Sequence, residues 1–301
     1  MTEFVDLLAV EAWDAWFRWR ERGELRDTTI DATWQRVAGA LGAAQGARAA
    51  DWSRRCIDAF SQWRLLPDEA LLRAAGTGVE LSLPEQPGAV LNLAMFVRAG
   101  TDGAPRVDTT RLQATAGLAV ELLDHALALT GRSTDTDLAV GVIGLADALQ
   151  RLGLDYDSEA ARSLAATLVQ AVAFGCRAAR SGRASAALTA VAPQPRLAML
   201  ANCASDALDP APGIGLQRPG FGLDAIQAPR ASHTHAAPPP SPAAQLRMRA
   251  AVQPWIDAPI DYPLLLSQAP DARLQADLAK QARSLGLSEP RWTVAASRGA
   301  D

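Results

Sequence analysis

Apolar and polar positions alternate along this chain mostly with the period of a helix. Val5, Leu8, Ala12, Trp16 and Trp19 fall on one stripe, so residues 3–20 are expected to be helical. A second helix is expected over 31–44 with Asp31 as its N-cap, and a third over 50–66, ended by Pro67. Residues 78–97, GVELSLPEQPGAVLNLAMFV, start like a strand, break at Pro84–Pro87 and resume as a strand. Asp108 should cap the next helix, whose inner face holds Leu112, Ala116, Ala119, Leu123 and Leu127. His125 shares the flanking stripe and fits a half-buried structural role. Gly141 and Gly144 suit close backbone approach. Ser158 opens a further helix with Leu164, Leu168, Val172 and Cys176 inward, and Gly182 stands past its end. ALTAVAP predicts a strand, and RLAML a further apolar run. Two more helices are expected over AAQLRMRAAVQPWI and DARLQADLAKQARSLG.

Residues from about 204 to 243 lose all period and are dense in proline and glycine, which predicts a long loop. The chain is expected to form an N-terminal helical region, 1–75, and a second region, 76–301, that contains this loop and whose character the family resemblance described below supplies. With 301 residues there is enough chain for a sizeable core. The net charge of −4 gives no basic field, so neither nucleic acid nor an anionic membrane is expected as a partner. Six of the eight tryptophans precede residue 64 without a basic stripe, which favours packing anchors over a platform for bases. The N-terminus is acidic where a leader would be basic, no apolar run is long enough to span a membrane, and a cytoplasmic location is expected. Cys56, Cys176 and Cys203 are far apart and form no CxxC pair, which speaks against a disulfide framework or a zinc site. His233 and His235 have no further ligands near them in sequence, so no metal is expected.

Several landmarks line up in one order. AVGVIGLADALQRLGLDYDSEAA (139–161) closely resembles IGLGVMGLADLLIRLGIPYDSEEA of the large chain of ribonucleotide reductases, of the adenosylcobalamin-dependent class II type. WRLLPDEALLRAAGTG (63–78) is similar to that family's FLPGGRILAGAGT, and LNLAMFV (91–97) to INLAKFV. LTAVAPQPRLAMLANCASDALDP (188–210) resembles LTTIAPTGTISLLAGNVSSGIEP, LRMRAAVQPWIDAPIDYPL (246–264) resembles LRMQAAVQPHIDSAISKTI, and ARSLGLSEPRWTV (282–294) is similar to AWRLGLKGCTTYRP. The resemblance implies an α/β, mostly helical chain, an incomplete remnant of the reductase α/β barrel with an N-terminal helical bundle. It also implies ribonucleoside-diphosphate reductase ancestry, with adenosylcobalamin as the family's cofactor.

The functional positions depart from the family. Its catalytic loop, NPCGEQP, lies over LSLPEQP, so Leu81 stands at the Asn and Leu83 at the radical Cys, while Glu85 is retained. A leucine methyl cannot relay a sulfur radical. Glu85 is then expected to be a turn acid that satisfies backbone donors. The redox cysteine before INLAKFV is replaced within GAVL. The phosphate loop PTGTIS becomes Pro193, Gln194, Pro195, Arg196, Leu197 and Ala198, losing a donor and gaining bulk. The resemblance therefore points to a reductase-like scaffold without reductase activity. Such a scaffold should need no cofactor and should bind a true class II reductase chain, another protein, or itself. The other reading is an enzyme of altered chemistry, acting on a phosphorylated or acidic small molecule through Glu85 and Arg196.

Overall fold

The computed structural model describes residues 1–180, 187–209 and 240–294. The N-terminal stripe forms α1 (Leu7–Ala12), continued by a π-helical turn over Trp13–Phe17. Asp6 caps it by accepting from Leu8 N–H. The hairpin of β1 (Arg20–Glu21) and β2 (Glu24–Leu25) reverses the chain into α2 (Ile30–Gly42) and α3 (Ala49–Ser61). The cap of α2 is Thr29, not Asp31. Asp31 sits one residue inside the helix and its carboxylate accepts from Thr2 N–H at 3.0 Å, tying down the N-terminal segment. The tryptophans are packing anchors: Trp34 lies against Trp63 and Phe60, and the indole N–H groups of Trp13, Trp34 and Trp63 donate to Thr33 Oγ1 (2.9 Å), Thr2 Oγ1 (3.0 Å) and Glu3 O (2.9 Å), while that of Trp52 is buried without a partner.

The third helix stops five residues earlier than the sequence suggests, because Trp63 turns into the left-handed region (φ 55). Leu65–Pro67 is β3, both leucines fully buried. A short apolar run continues a helical stripe and enters a sheet equally well, and here the sheet wins. After α4 (Glu69–Ala74), residues 79–87 have no regular structure, so only the second half of the expected strand pair exists, as β4 (Gly88–Asn92). The hairpin of β5 (Val97–Ala99) and β6 (Pro105–Val107) leads to α5 (Thr109–Leu129), capped by Asp108 through Arg111 N–H. His125 is half-buried and stacks on Trp52, ring centroids 4.3 Å apart.

β7 (Ala139–Ile143) completes the main sheet in the order β3-β4-β7, antiparallel then parallel, with Gly88 opposite Ala139 and Asn92 opposite Ile143. Residues 187–190 add a fourth row through Leu138 N–H to Ala187 O (2.8 Å) and Val140 N–H to Leu188 O (3.0 Å). Only the Val140–Thr189 bridge is formed there, where a full strand was expected. Gly141 permits that approach, since a Cβ would lie 2.7 Å from Ala190 O. The outer side of this row is capped by Asp257, whose Oδ2 accepts from Leu188 N–H (3.0 Å), Thr189 N–H (3.0 Å) and the Thr189 hydroxyl (2.9 Å). An otherwise open edge is thereby paired.

α6 (Leu145–Arg151) follows β7, and α7 (Glu159–Ala179), capped by Ser158, crosses α5 so closely that a Cβ on Gly175 would collide with Gln113 O. RLAML belongs to the short helix α8 (Pro195–Leu200). Then come α9 (Pro242–Val252), β8 (Leu264–Leu266), α10 (Ala272–Ser284) and β9 (Trp292–Val294), with β8 and β9 parallel. One hydrophobic core runs from Trp13 to Tyr262, and a small second cluster joins Leu246, Leu264 and Leu266 to Leu278 and Ala282 of α10. Among the described residues no sheet exceeds three named strands and none closes into a barrel; the chain is a mostly helical α/β protein with small sheets. Gly182, most of the Pro/Gly-rich stretch, and His233 with His235 lie outside the described residues.

Candidate functional site

The loop 81–87 sits immediately before β4, where Pro84 and Pro87 cannot donate to a ladder. Arg132 holds it from outside. Its guanidinium donates to Pro84 O and Glu85 O, each at 2.6 Å, and to Leu83 O at 3.4 Å. Leu81 and Leu83 are half-buried and pack against the main core. The Glu85 side chain is exposed. Among the described residues no backbone N–H bonds to its carboxylate, so the donor-satisfying role expected for it is not observed. The turn is stabilised through its carbonyls instead.

The turn 193–198 is also built inward. Pro195 occupies the first turn of α8, where a missing N–H costs nothing. Gln194 N–H donates to Asp206 Oδ1 at 2.6 Å. Burial pushes the Asp206 carboxyl up to about 7, against the lowering effect of that bond. Arg196 pairs with Glu69 Oε2 at 3.1 Å and lies over the Trp16 ring at 5.4 Å, so it fastens α8 to α4 and the N-terminal region. Pro193 is exposed and Gln194 half-buried. No ion pair or hydrogen bond among the described residues joins Glu85 to Arg196.

The three thiols are all buried and lie in other elements. Cys176 on α7 points its Sγ toward Ala116 O of α5 at 3.9 Å. Burial raises each thiol, Cys176 and Cys203 to about 12 and Cys56 further still, so none is a ready thiolate. Residue 83 itself offers hydrocarbon.

Residues 88–190 match the family model of the ribonucleotide reductase barrel domain. Over this span the chain is similar to the barrel domain of ribonucleotide reductases. The match covers β4, α5, β7, α6, α7 and the row 187–190, which together form the parallel sheet and the helices packed on it. It begins just after the loop 81–87 and ends before the turn 193–198. No curated protein matches the chain.

One cleft, lined by residues inside and outside the matched span, carries no mark in the sequence. It lies at the C-terminal ends of the parallel strands β4 and β7, the usual place for ligands in α/β sheets, and measures about 660 Å³. Its walls are the N-terminal segment, the turn after β4, α6 and the turn after α8. Asn92, the last residue of β4, lines it at 2% exposure, and its Oδ1 has no hydrogen-bond partner. Gly144, at φ 73, gives that oxygen room, since a Cβ there would collide with it. Asp147 of α6 accepts from Ser205 N–H at 2.7 Å. Trp63, Asn202 and Cys203 line the cleft with positive φ. An amide inside the apolar run GAVLNLAMF was the one available signal. A shallower cleft of about 430 Å³ between α3 and α5 is lined by Arg55, Arg64 and Arg111, whose guanidinium groups pair with Glu121, Asp58 and Asp108.

Proposed function

We propose that this chain is a reductase-like protein that does not reduce ribose and acts as a scaffold or binding partner. The observation that carries the reading is Leu83. Radical reduction needs a thiol S–H weak enough to exchange hydrogen with a ribose C–H, and the loop aligned with the family's catalytic loop holds a half-buried leucine there. The remaining thiols support the same reading, being buried and poorly ionised in α3, α7 and the turn after α8. The residues of the loop do not fit a radical-generating cofactor such as adenosylcobalamin, because no sulfur is there to receive the radical. At the turn 193–198, Asp206 occupies the Gln194 N–H, which further weakens a substrate-phosphate role.

The partner is a protein: a true class II reductase, another chain, or a second copy. Val5 and Leu7 support this, being 66% and 80% exposed on one short segment. The alternative, altered chemistry through Glu85 and Arg196, is disfavoured by the Arg196–Glu69 pair.

A thermal-shift panel tests the reading. Nucleoside di- and triphosphates and adenosylcobalamin should leave the melting temperature unchanged, because any ligand of the native state must raise it. A saturable rise with a nucleotide would refute the loss of the nucleotide site.

A further inference from the structure

The cleft between α3 and α5 carries positive charge that the fold does not use up. Arg55, Arg64 and Arg111 line it against Asp58 and Asp108, one positive charge in excess on a chain of net charge −4. Each arginine turns one nitrogen to an acid and keeps others free. The Arg64 side chain is only 7% exposed, and its Nη2 donates to the Asp58 carboxylate. Its Nη1 bonds to no described residue and, unlike Nε, is not sealed from solvent. Arg55 reaches Glu121 Oε2 through Nη1 at 3.3 Å, and no described residue accepts from its Nε or Nη2. The Arg111 guanidinium makes no hydrogen bond to a described residue, and Asp108 Oδ2 is 3.5 Å from its Nε. The first turn of α5 opens on the same cleft through Thr110, so the positive end of a 21-residue helix adds to the field. Free guanidinium N–H groups match carboxylate oxygens in geometry and charge.

The lining follows α5 from Thr110 to Leu118, about 12 Å at 1.5 Å per residue, the span of about four residues of extended chain. Ala59, Thr115 and Leu118 are its buried part, against which side-chain methylenes can pack. The cleft is shallow, and Arg55 and Arg111 are 49% and 38% exposed. A small molecule would stay largely in water there, whereas a chain gains contacts beyond the cleft. We infer that this cleft docks an acidic segment of a partner protein, about four residues rich in Asp and Glu, through Arg55, Arg64 and Arg111. The inference rests on the reading that the partner is a protein, and adds the chemistry that the partner presents.

The test measures fluorescence anisotropy of labelled hexaglutamate on the full chain, with hexalysine and inorganic phosphate as controls. Hexaglutamate should bind saturably and hexalysine should not, and added salt should weaken binding. R55Q and R111Q, which alter half-exposed side chains, should each weaken it about fivefold while leaving the melting temperature within about 1 °C of the parent. R64Q should weaken it further, and the other two variants keep the test open if R64Q fails to fold. E121Q frees Arg55 and should tighten binding about twofold. R283Q removes the same charge from an exposed position on α10 and should leave the affinity unchanged. No saturable binding of hexaglutamate would overturn the inference. So would an equal loss in R283Q and R111Q, or displacement of the peptide by phosphate at equal concentration, which would mark a simple anion site. The proposed function fails separately, on a nucleotide-induced thermal shift that persists in R111Q.

Discussion

Asp257 closes the edge of the main sheet, and its removal has a calculable effect. Its carboxylate accepts two backbone N–H groups and one hydroxyl from Leu188 and Thr189, and it pairs with Arg177 at 3.3 Å. Leu188 and Thr189 are buried, so in D257A their N–H groups have poor access to water. Each hydrogen bond to a charged group contributes about 1.5–3 kcal/mol, and the bonds share one carboxylate and are not additive. The Asp257 side chain is 28% exposed, which screens part of the gain. The net expectation is a loss of about 3 kcal/mol, or about 6 °C in melting temperature. D257N keeps one acceptor oxygen and should lose about half of that. Burial alone would raise the Asp257 pKa, but the bonds from Leu188 and Thr189 outweigh it, and the carboxyl stands below its usual value. A depressed folded pKa stabilises above the unfolded value of about 3.9 and is lost as pH falls through the folded one. The gap between parent and D257A should therefore be full at neutral pH and shrink in acid. Urea melts from pH 3 to pH 7, with hydrogen exchange at the two amides, measure both. A D257A variant melting within about 1 °C of the parent at pH 7 would refute this role.

Further expectations follow from the same contacts. R132A frees three carbonyls of the loop 81–87, so limited proteolysis should cut there faster than in the parent, while E85A, altering an exposed side chain, should move stability by less than about 0.5 kcal/mol. G175A places a methyl into Gln113 O at the α5–α7 crossing and should cost about 2–3 kcal/mol in a urea melt. Burial raises Asp206 to about 7 and Asp209 to about 6. A raised acid pKa gives stability that is full below about 3.9 and lost as pH rises through the folded value. The melting temperature should therefore fall from pH 5 to pH 8, with a smaller slope in D206N. Iodoacetamide at neutral pH should label the native chain slowly at all three cysteines and rapidly once it is unfolded.

What the sequence makes legible here is local. Asp108 and Ser158 announce their helices because a cap and the stripe after it are neighbours in the chain. The inner face of α5 follows from its period, and Leu112, Ala116, Ala119, Leu123 and Leu127 are all fully buried. Sheet membership is not local, so Leu65 and Leu66 pass for the end of a helix until β4 supplies their partners. Asp257 gives no sign of its role, because Thr189 lies 68 residues away in sequence. The loop 81–87 is readable through its family resemblance, but its clamp, Arg132, is not. The cleft is the least legible feature, since Glu3, Trp63, Asn92, Asp147 and Cys203 meet only after the whole core has formed.

The absence of a sulfur at residue 83 has one direct consequence. Purified chain is incubated with ribonucleoside di- and triphosphates, adenosylcobalamin and a dithiol, and deoxynucleotide is quantified by chromatography. On the proposed reading, with leucine at residue 83, the expected yield equals that of the protein-free blank. Deoxynucleotide formed by the parent chain and lost in E85Q would contradict it.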